Sequence, residues 1–306
     1  MGGDFAPDTT ISGAMLAQYA LPPDYKLVLI GDEQKIYHTL DKQKISLNGC
    51  EIINAKQVIE MGESPTKAFS KKPDSSISVG FKLLKEGHID GFASTGNSGA
   101  MMVGAIYSVR AIPGVIRPCI TTALPKESGS HTIILDIGVN ADCKADVLFQ
   151  FAILGSLYAT HVYNINNPKV GLLNIGEEEE KGNLLCQATY RLMKDNNDFN
   201  FIGNVEGKDI FDDKVDVIVC DGFTGNVLLK SIEACYAMIK TRGISDEFID
   251  LLNYESYGGT PILGVNSPVV IGHGRSNEIA VKNMILLTKE IIESNLHHKI
   301  REKFNK

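Results

Sequence analysis

The feature that most constrains this chain is an alternation: short β-branched runs, several apolar at consecutive positions, most of them followed by a longer stretch of helical period. The runs cover residues 26–31 (KLVLIG), 90–94 (DGFAS), 118–124 (PCITTAL), 132–138 (TIILDIG), 169–176 (KVGLLNIG), 215–222 (VDVIVCDG) and 268–274 (PVVIGHG). A strand with one wet face alternates apolar and polar residues, whereas a strand covered on both faces is apolar throughout. The pattern therefore predicts a mostly parallel sheet with helices on both sides, an α/β/α layered fold. Helical periods are read over 98–110, 145–161, 182–194, 226–242 and 276–297, the last with an apolar stripe of Ile279, Met284, Leu287, Ile291 and Ile292. No Pro/Ser-rich linker and no fixed-period repeat divides the sequence. Residues 1–306 read as a single α/β/α domain, with two lobes around a cleft as the alternative organisation.

Several classes are disfavoured by composition. A chain of 306 residues buries roughly three quarters of its unfolded surface, so its core needs neither disulfide nor metal. The six cysteines form no CxxC pair and read as reduced cytosolic thiols. Thirty basic against 37 acidic side chains give a net charge of −7 without a basic cluster, which argues against nucleic acid as a partner. The opening MGGDFAP lacks the basic-then-apolar pattern of a signal peptide. The uncharged stretches at 91–109 and 147–168 are broken by polar residues and read as buried helices, so a cytoplasmic location is expected. The acidic run Glu177 to Glu180 and the basic tail 299–306 read as solvated faces.

In open parallel sheets, ligands bind beyond the carboxyl ends of the strands. Here Gly and small polar residues concentrate at five such junctions: STGNSG (94–99), DIGVNAD (136–142), NIGEEEEKGN (174–183), DGFTGN (221–226) and GHGRSN (272–277). Backbone N–H groups, amides and hydroxyls converging there suit an anion such as phosphate. One such junction reads as a helix cap; five along one edge read as a site. The Walker loop, the GxGxxG fingerprint and the GxSxG elbow are all absent, and no cluster with metal-ligand spacing occurs. Among the histidines, His273 lies in the GHG junction, where a ligand role and a capping role are equally consistent with its position.

Longer motifs carry a resemblance. MGGDFAP (1–7), ASTGNSGA (93–100), RP (117–118), LDIGVN (135–140), VGLLNIGEEEEKGN (170–183), FIGNVEG (201–207), DGFTGNVLLK (221–230), YGGTPILG (257–264) and GHGRS (272–276) together resemble the bacterial phosphate acyltransferase family, PlsX. The resemblance spans the chain. It implies an isocitrate dehydrogenase/phosphotransacetylase-like α/β/α sandwich, used as a homodimer, that moves a fatty acyl group from acyl-acyl carrier protein to inorganic phosphate. The acyl phosphate would feed phospholipid synthesis through a separate membrane-bound acyl-phosphate:glycerol-3-phosphate acyltransferase. No cofactor or metal is implied, the substrate being carried on the phosphopantetheine arm of acyl carrier protein. Three departures stand out: the family has a short strand ahead of MGGD, its usual GAN is GVN at 138–140, and the segment 244–253 is shorter than the apolar hairpin linked to membrane contact. With Asp246, Glu247 and Asp250 in it, that segment is expected to pack on protein, leaving at most a peripheral association with the inner face of the membrane.

Phosphate is already an anion, so its attack on a thioester requires placement and charge stabilisation more than deprotonation. Gly96, Asn97 and Ser98 suit phosphate or the carbonyl oxygen. Asn140 and Asn226 offer amide donors beside Gly225, and Lys181 offers a mobile positive charge unless it merely pairs with Glu177 or Glu178. Asp221 can accept a proton or fix a donor, with Asp4 and Asp136 as weaker candidates for the same tasks, and His273 can protonate the departing sulfur. Arg110, Arg117, Lys194, Lys230, Lys82 and Lys85 are candidates for meeting the acidic carrier. The competing readings are an acyl-CoA:phosphate acyltransferase of the phosphotransacetylase kind, an NAD-dependent decarboxylating dehydrogenase, and a phosphate-binding protein without catalysis. The dehydrogenase is disfavoured because Asp136, Asp142 and Asp221 form no tight DxxxD pair for a divalent metal.

Overall fold

A computed structural model describes residues 1–46 and 49–305, so Lys306 of the basic tail lies outside the described residues. In chain order the elements are α1 (Asp8–Ala20), β1 (Val28–Gly31), α2 (Glu33–Gln43), β2 (Glu51–Asn54), α3 (Pro65–Lys71), α4 (Ser76–Glu86), β3 (Phe92–Ser94), α5 (Ser98–Gly104), β4 (Cys119–Pro125), β5 (His131–Leu135) and α6 (Ala145–His161). There follow β6 (Lys169–Leu173), α7 (Leu184–Met193), β7 (Asn200–Val205), β8 (Val217–Val219), α8 (Gly222–Thr241), α9 (Glu247–Leu251), α10 (Tyr254–Tyr257), β9 (Thr260–Leu263), β10 (Val269–Ile271), α11 (Glu278–Glu293) and α12 (Leu296–Phe304). The chain divides into two compact units, Met1–Arg110 with Tyr254–Glu293, and Ala111–Asn253 with Ser294–Lys306.

In the first unit β1 pairs with β2 in parallel, β3 pairs with β10 in parallel, and β10 pairs with β9 antiparallel. β1 and β3 also line a cavity of about 560 Å³, together with α11. Helix α1 lies close along α11 because Gly13 has no side chain; a Cβ there would sit 2.6 Å from the Glu278 carbonyl oxygen. The period read over 98–110 is one helix that changes its pitch: α5 runs into a π-helical turn, Ala105–Val109, and Arg110 ends it at φ 68°.

The second unit has a sheet ordered β4-β5-β8-β6-β7, with β4 antiparallel to β5 and the remaining pairs parallel. The consecutive apolar positions have the expected cause. All three residues of β8 are buried, as are Thr132 to Leu135 of β5. Helix α6 covers them with Val147, Leu148, Phe151, Leu154 and Tyr158, and Gly155 lets it approach Val217 and Leu135. Helix α8 starts at Gly222 rather than near Asn226, because Asp221 caps it by accepting from the Thr224 N–H. In the short segment after α8, Phe248 packs edge-on against Phe211 at 5.9 Å, and Asp250 accepts from Lys240 at 2.8 Å. Among the described residues no helix is long and apolar enough to cross a membrane.

The C-terminal stretch read as one helix from 276 is two, since Asn295 adopts φ 51° and separates α11 from α12. On α12, burial pushes His297 down to about 4, helped by the charges of His298 and Arg301. An unfolded histidine titrates near 6.5, so on acidification the unfolded chain takes this proton before the folded chain does. Stability contributed by the neutral ring is present above about pH 6.5 and is lost as pH falls from about 6.5 to about 4, by roughly 2 kcal/mol once partial exposure is discounted. His297→Gln is expected to flatten denaturant midpoints measured over that interval; an unchanged pH slope would contradict the assignment.

Candidate active site

The candidate residues fall into two sets, one on each unit. In the first unit the MGGD, STGNSG and GHG segments meet. The Asp4 N–H donates to the Gly274 carbonyl at 2.8 Å, and Cβ atoms on Gly3 or Gly272 would press on the Thr95 side chain at 2.6 and 2.8 Å. Gly2, at φ 109°, lies against the Gly96 Cα, an approach that only glycine makes without strain. Asn97 is buried and its amide is committed: Nδ2 donates to the carbonyls of Glu60, Met61 and Glu63 at 3.0 to 3.2 Å, while Oδ1 caps Ala100. It therefore fixes the loop, leaving Ser98, next in chain and exposed, as the polar side chain at the mouth of α5. His273 is exposed, and its Nδ1 accepts from the Arg275 N–H at 3.2 Å. A neutral ring held this way carries its proton on Nε2.

In the second unit the DIGVNAD and DGFTGN junctions interlock. Asp136 is fully buried and accepts from the Asn140 N–H at 2.6 Å, from Asn140 Nδ2 at 2.9 Å, and from the N–H groups of Val139 and Ile120. Burial raises its carboxyl above the ordinary aspartate value, and those donors oppose the rise. Asn140 spends its other amide hydrogen on the Pro118 carbonyl at 2.9 Å. Its own carbonyl accepts the Gly222 N–H at 2.8 Å. Asn226 donates to the Ile137 carbonyl at 3.2 Å, and Gly225 brings the first turn of α8 onto the Asp136 carbonyl. Asp221 is bonded to both the N–H and the hydroxyl of Thr224.

Lys181 lies apart on the loop after β6, half exposed, its Nζ 4.0 Å from the Glu178 carboxylate. Two more acids of the run are paired, Glu177 with Lys214 at 2.6 Å and Glu179 with Lys194 at 2.9 Å, and Lys230 is held by Glu233 at 2.7 Å. Sequence reasoning missed the thiols here. Burial and the charges of Asp136 and Asp221 push Cys143 up to about 11, and burial raises Cys119, Cys186 and Cys220 as well. At neutral pH these are thiols, not thiolates, and so lack the form that attacks a carbonyl. The sequence signal was available only as cysteines scattered through apolar runs, which says nothing about shared surroundings.

Comparison with known proteins agrees over the whole length. A family model described as fatty acid synthesis protein matches residues 1–249. The phosphate acyltransferase of Dictyoglomus turgidum is 42% identical over 325 residues, covering 100% of this chain and 96% of the relative. That of Endomicrobium trichonymphae is 44% identical, covering 99% and 95%. Among solved structures, a phosphotransacetylase from Streptococcus pyogenes superposes with a TM-score of 0.66 at 16% identity, covering 94% of this chain and 92% of the other. A branched-chain phosphotransacylase from Enterococcus faecalis gives 0.64 at 12% identity, covering 95% and 96%. These two show the fold, a mixed α/β architecture with a mostly parallel sheet. The closely matching relatives, spanning the whole chain, show more: the chain belongs to the phosphate acyltransferase family.

Proposed function

We propose that this acyltransferase takes a fatty acyl group from the phosphopantetheine thioester of acyl carrier protein and passes it to inorganic phosphate. The observation that carries the reading is the full-length match to phosphate acyltransferases. The geometry supports it chemically. A phosphate oxygen attacks the thioester carbon, the C–S bond breaks, and the departing thiolate takes a proton, giving acyl phosphate and free carrier thiol. No covalent acyl-enzyme is needed, and the raised cysteines of the second unit offer no thiolate for one. In the first unit His273, with Nδ1 accepting from the Arg275 N–H, has Nε2 as its donor nitrogen when neutral. In the second, the Asp136-held turn and the start of α8 form the polar frame, with Asn140 and Asn226 as the residues that set it.

Exposed apolar side chains sit at this polar edge: Ile175 and Leu184 after β6, and Phe223 and Val227 at the start of α8. They fit a long acyl chain better than an acetyl group. Helix α8 buries only Gly222 and Gly225 and leaves Val227 and Met238 exposed, which suits a second copy of the chain covering it in a homodimer. Acyl phosphate is a reactive mixed anhydride, so a cytoplasmic enzyme working near the membrane, handing product to an acyltransferase there, fits the chemistry. The donor is tested by comparing turnover of palmitoyl-acyl carrier protein, palmitoyl-CoA and acetyl-CoA at equal concentration in phosphate. The expected order has the carrier-bound palmitoyl group first, by at least about tenfold, a difference of about 1.4 kcal/mol in transition-state binding; acetyl-CoA as the preferred donor would replace this reading with the phosphotransacetylase one.

A further inference from the structure

We infer that Arg117 is the cationic residue that binds the phosphate substrate in the second unit, an assignment that rests on the acyl-transfer reading above. The argument begins with strand direction. Because β4 runs antiparallel to β5, the residues that lead into β4 lie at the carboxyl end of β5, the edge from which the DIGVNAD turn emerges. Lys126, just past the far end of β4, is buried against Asp216 at the opposite edge.

Four hydrogen bonds clamp the lead-in segment and the start of β4 to that turn. Arg117 Nη1 donates to the Asp142 carbonyl at 2.9 Å, Asn140 Nδ2 to the Pro118 carbonyl at 2.9 Å, the Ile120 N–H to Asp136 Oδ1 at 3.2 Å, and the Ile137 N–H to the Ile120 carbonyl at 3.3 Å. The guanidinium is thus placed by the same residues that shape the polar frame, while remaining exposed. It lies close enough to Cys143 to oppose the charges of Asp136 and Asp221 there. A phosphate dianion entering this edge meets those carboxylates, and it needs a fixed cation to offset them.

Lys181 is a poorer candidate, half exposed beside Glu178 on a loop of ion-paired acids. A guanidinium has five N–H donors in a planar fork. With one on the Asp142 carbonyl, the others suit two phosphate oxygens at once, a geometry that an ammonium does not reproduce.

The test is phosphate binding, measured by the rise of the melting temperature with added potassium phosphate against potassium chloride at matched ionic strength. It is run on the full chain and on Arg117→Gln and Arg117→Lys, without acyl donor. Steady-state KM values for phosphate and for acyl carrier protein follow on the same proteins. Glutamine can keep the bond to the Asp142 carbonyl but has no charge. The expected result is a phosphate-dependent shift in the parent that is lost in Arg117→Gln and weakened in Arg117→Lys. KM for phosphate should rise about 10- to 100-fold, the loss of one or two charge-assisted hydrogen bonds, with KM for the carrier nearly unchanged. Phosphate binding retained in Arg117→Gln, or a rise confined to the carrier KM, would overturn the assignment. A parent protein that binds phosphate through Arg117 yet forms no acyl phosphate would instead sink the acyl-transfer reading and leave the assignment standing. A parent that neither binds phosphate nor turns over would sink both.

Discussion

Gly225→Ala is expected to abolish measurable turnover and to lower the melting temperature by roughly 5 °C. A Cβ at this position would fall well inside van der Waals contact of the Asp136 carbonyl oxygen and 2.9 Å from Cys220 Sγ. The obstacle is backbone, in a turn whose neighbours are already tied to β4 and α8, so no flexible side chain can swing aside. Overpacking of this kind costs typically about 1 to 3 kcal/mol, and for a protein of this size each kcal/mol moves the transition by roughly 2 to 4 °C. The remaining relief is for α8 to slide outward, which would break the Gly222 N–H bond to the Asn140 carbonyl and that of Asn226 to the Ile137 carbonyl. Gly207→Ala is the control, since a Cβ there meets nothing within 4 Å. Calorimetry of both variants alongside turnover checks the claim. A Gly225→Ala protein as stable and active as the control would show that the close approach of α8 to the turn carries no consequence.

The second large effect is expected from Asp136→Asn. The carboxylate accepts from three backbone N–H groups and one amide. An asparagine has one oxygen to accept with, and its NH2 would face donors. Two or more buried donors would then lose their partner, at about 1 to 3 kcal/mol each. The expected result is a loss of about 3 to 5 kcal/mol in urea unfolding, together with a turnover loss of at least 10²-fold, the scale of a displaced transition-state donor. A carboxylate serving mainly as a ligand would behave differently: activity would fall with the denaturant midpoint nearly unchanged. The two measurements therefore separate a holder of the turn from a group that touches substrate.

How legible this was in the sequence depended on where the physics is local. The seven apolar runs all mark strands, and the α6 limits coincide with the read period, because burial on both faces leaves a pattern in consecutive residues. Strands β2, β7 and β9 leave no such pattern. β2 is a strand of four residues paired with β1, with exposed Glu51 and Asn54, β7 contains Gly203 at φ 96°, and β9 carries Pro261. None of these has the all-apolar run by which strands were found. The helices α1 to α4 are equally faint in the sequence, their apolar stripes being short and mixed with polar residues.

At the site, the five glycine-rich junctions could be named from sequence, but the task of each side chain could not. That Asn97 spends its amide on three carbonyls of a loop more than thirty residues earlier is a tertiary fact. So is the position of Arg117, which follows from β4 running antiparallel to β5, a pairing that a mostly parallel pattern does not locate.

The central claim, acyl transfer to phosphate, is tested most directly by following the acyl group and the thiol in one reaction. Palmitoyl-acyl carrier protein is incubated with the enzyme in 18O-labelled phosphate, the released carrier thiol is titrated, and the acyl product is trapped with hydroxylamine or read by mass spectrometry. The account predicts acyl phosphate carrying the phosphate's labelled oxygens, formed in equal amount with free thiol and ceasing when sulfate replaces phosphate. Thiol release that continues in sulfate, with unlabelled fatty acid as the direct product, would contradict it.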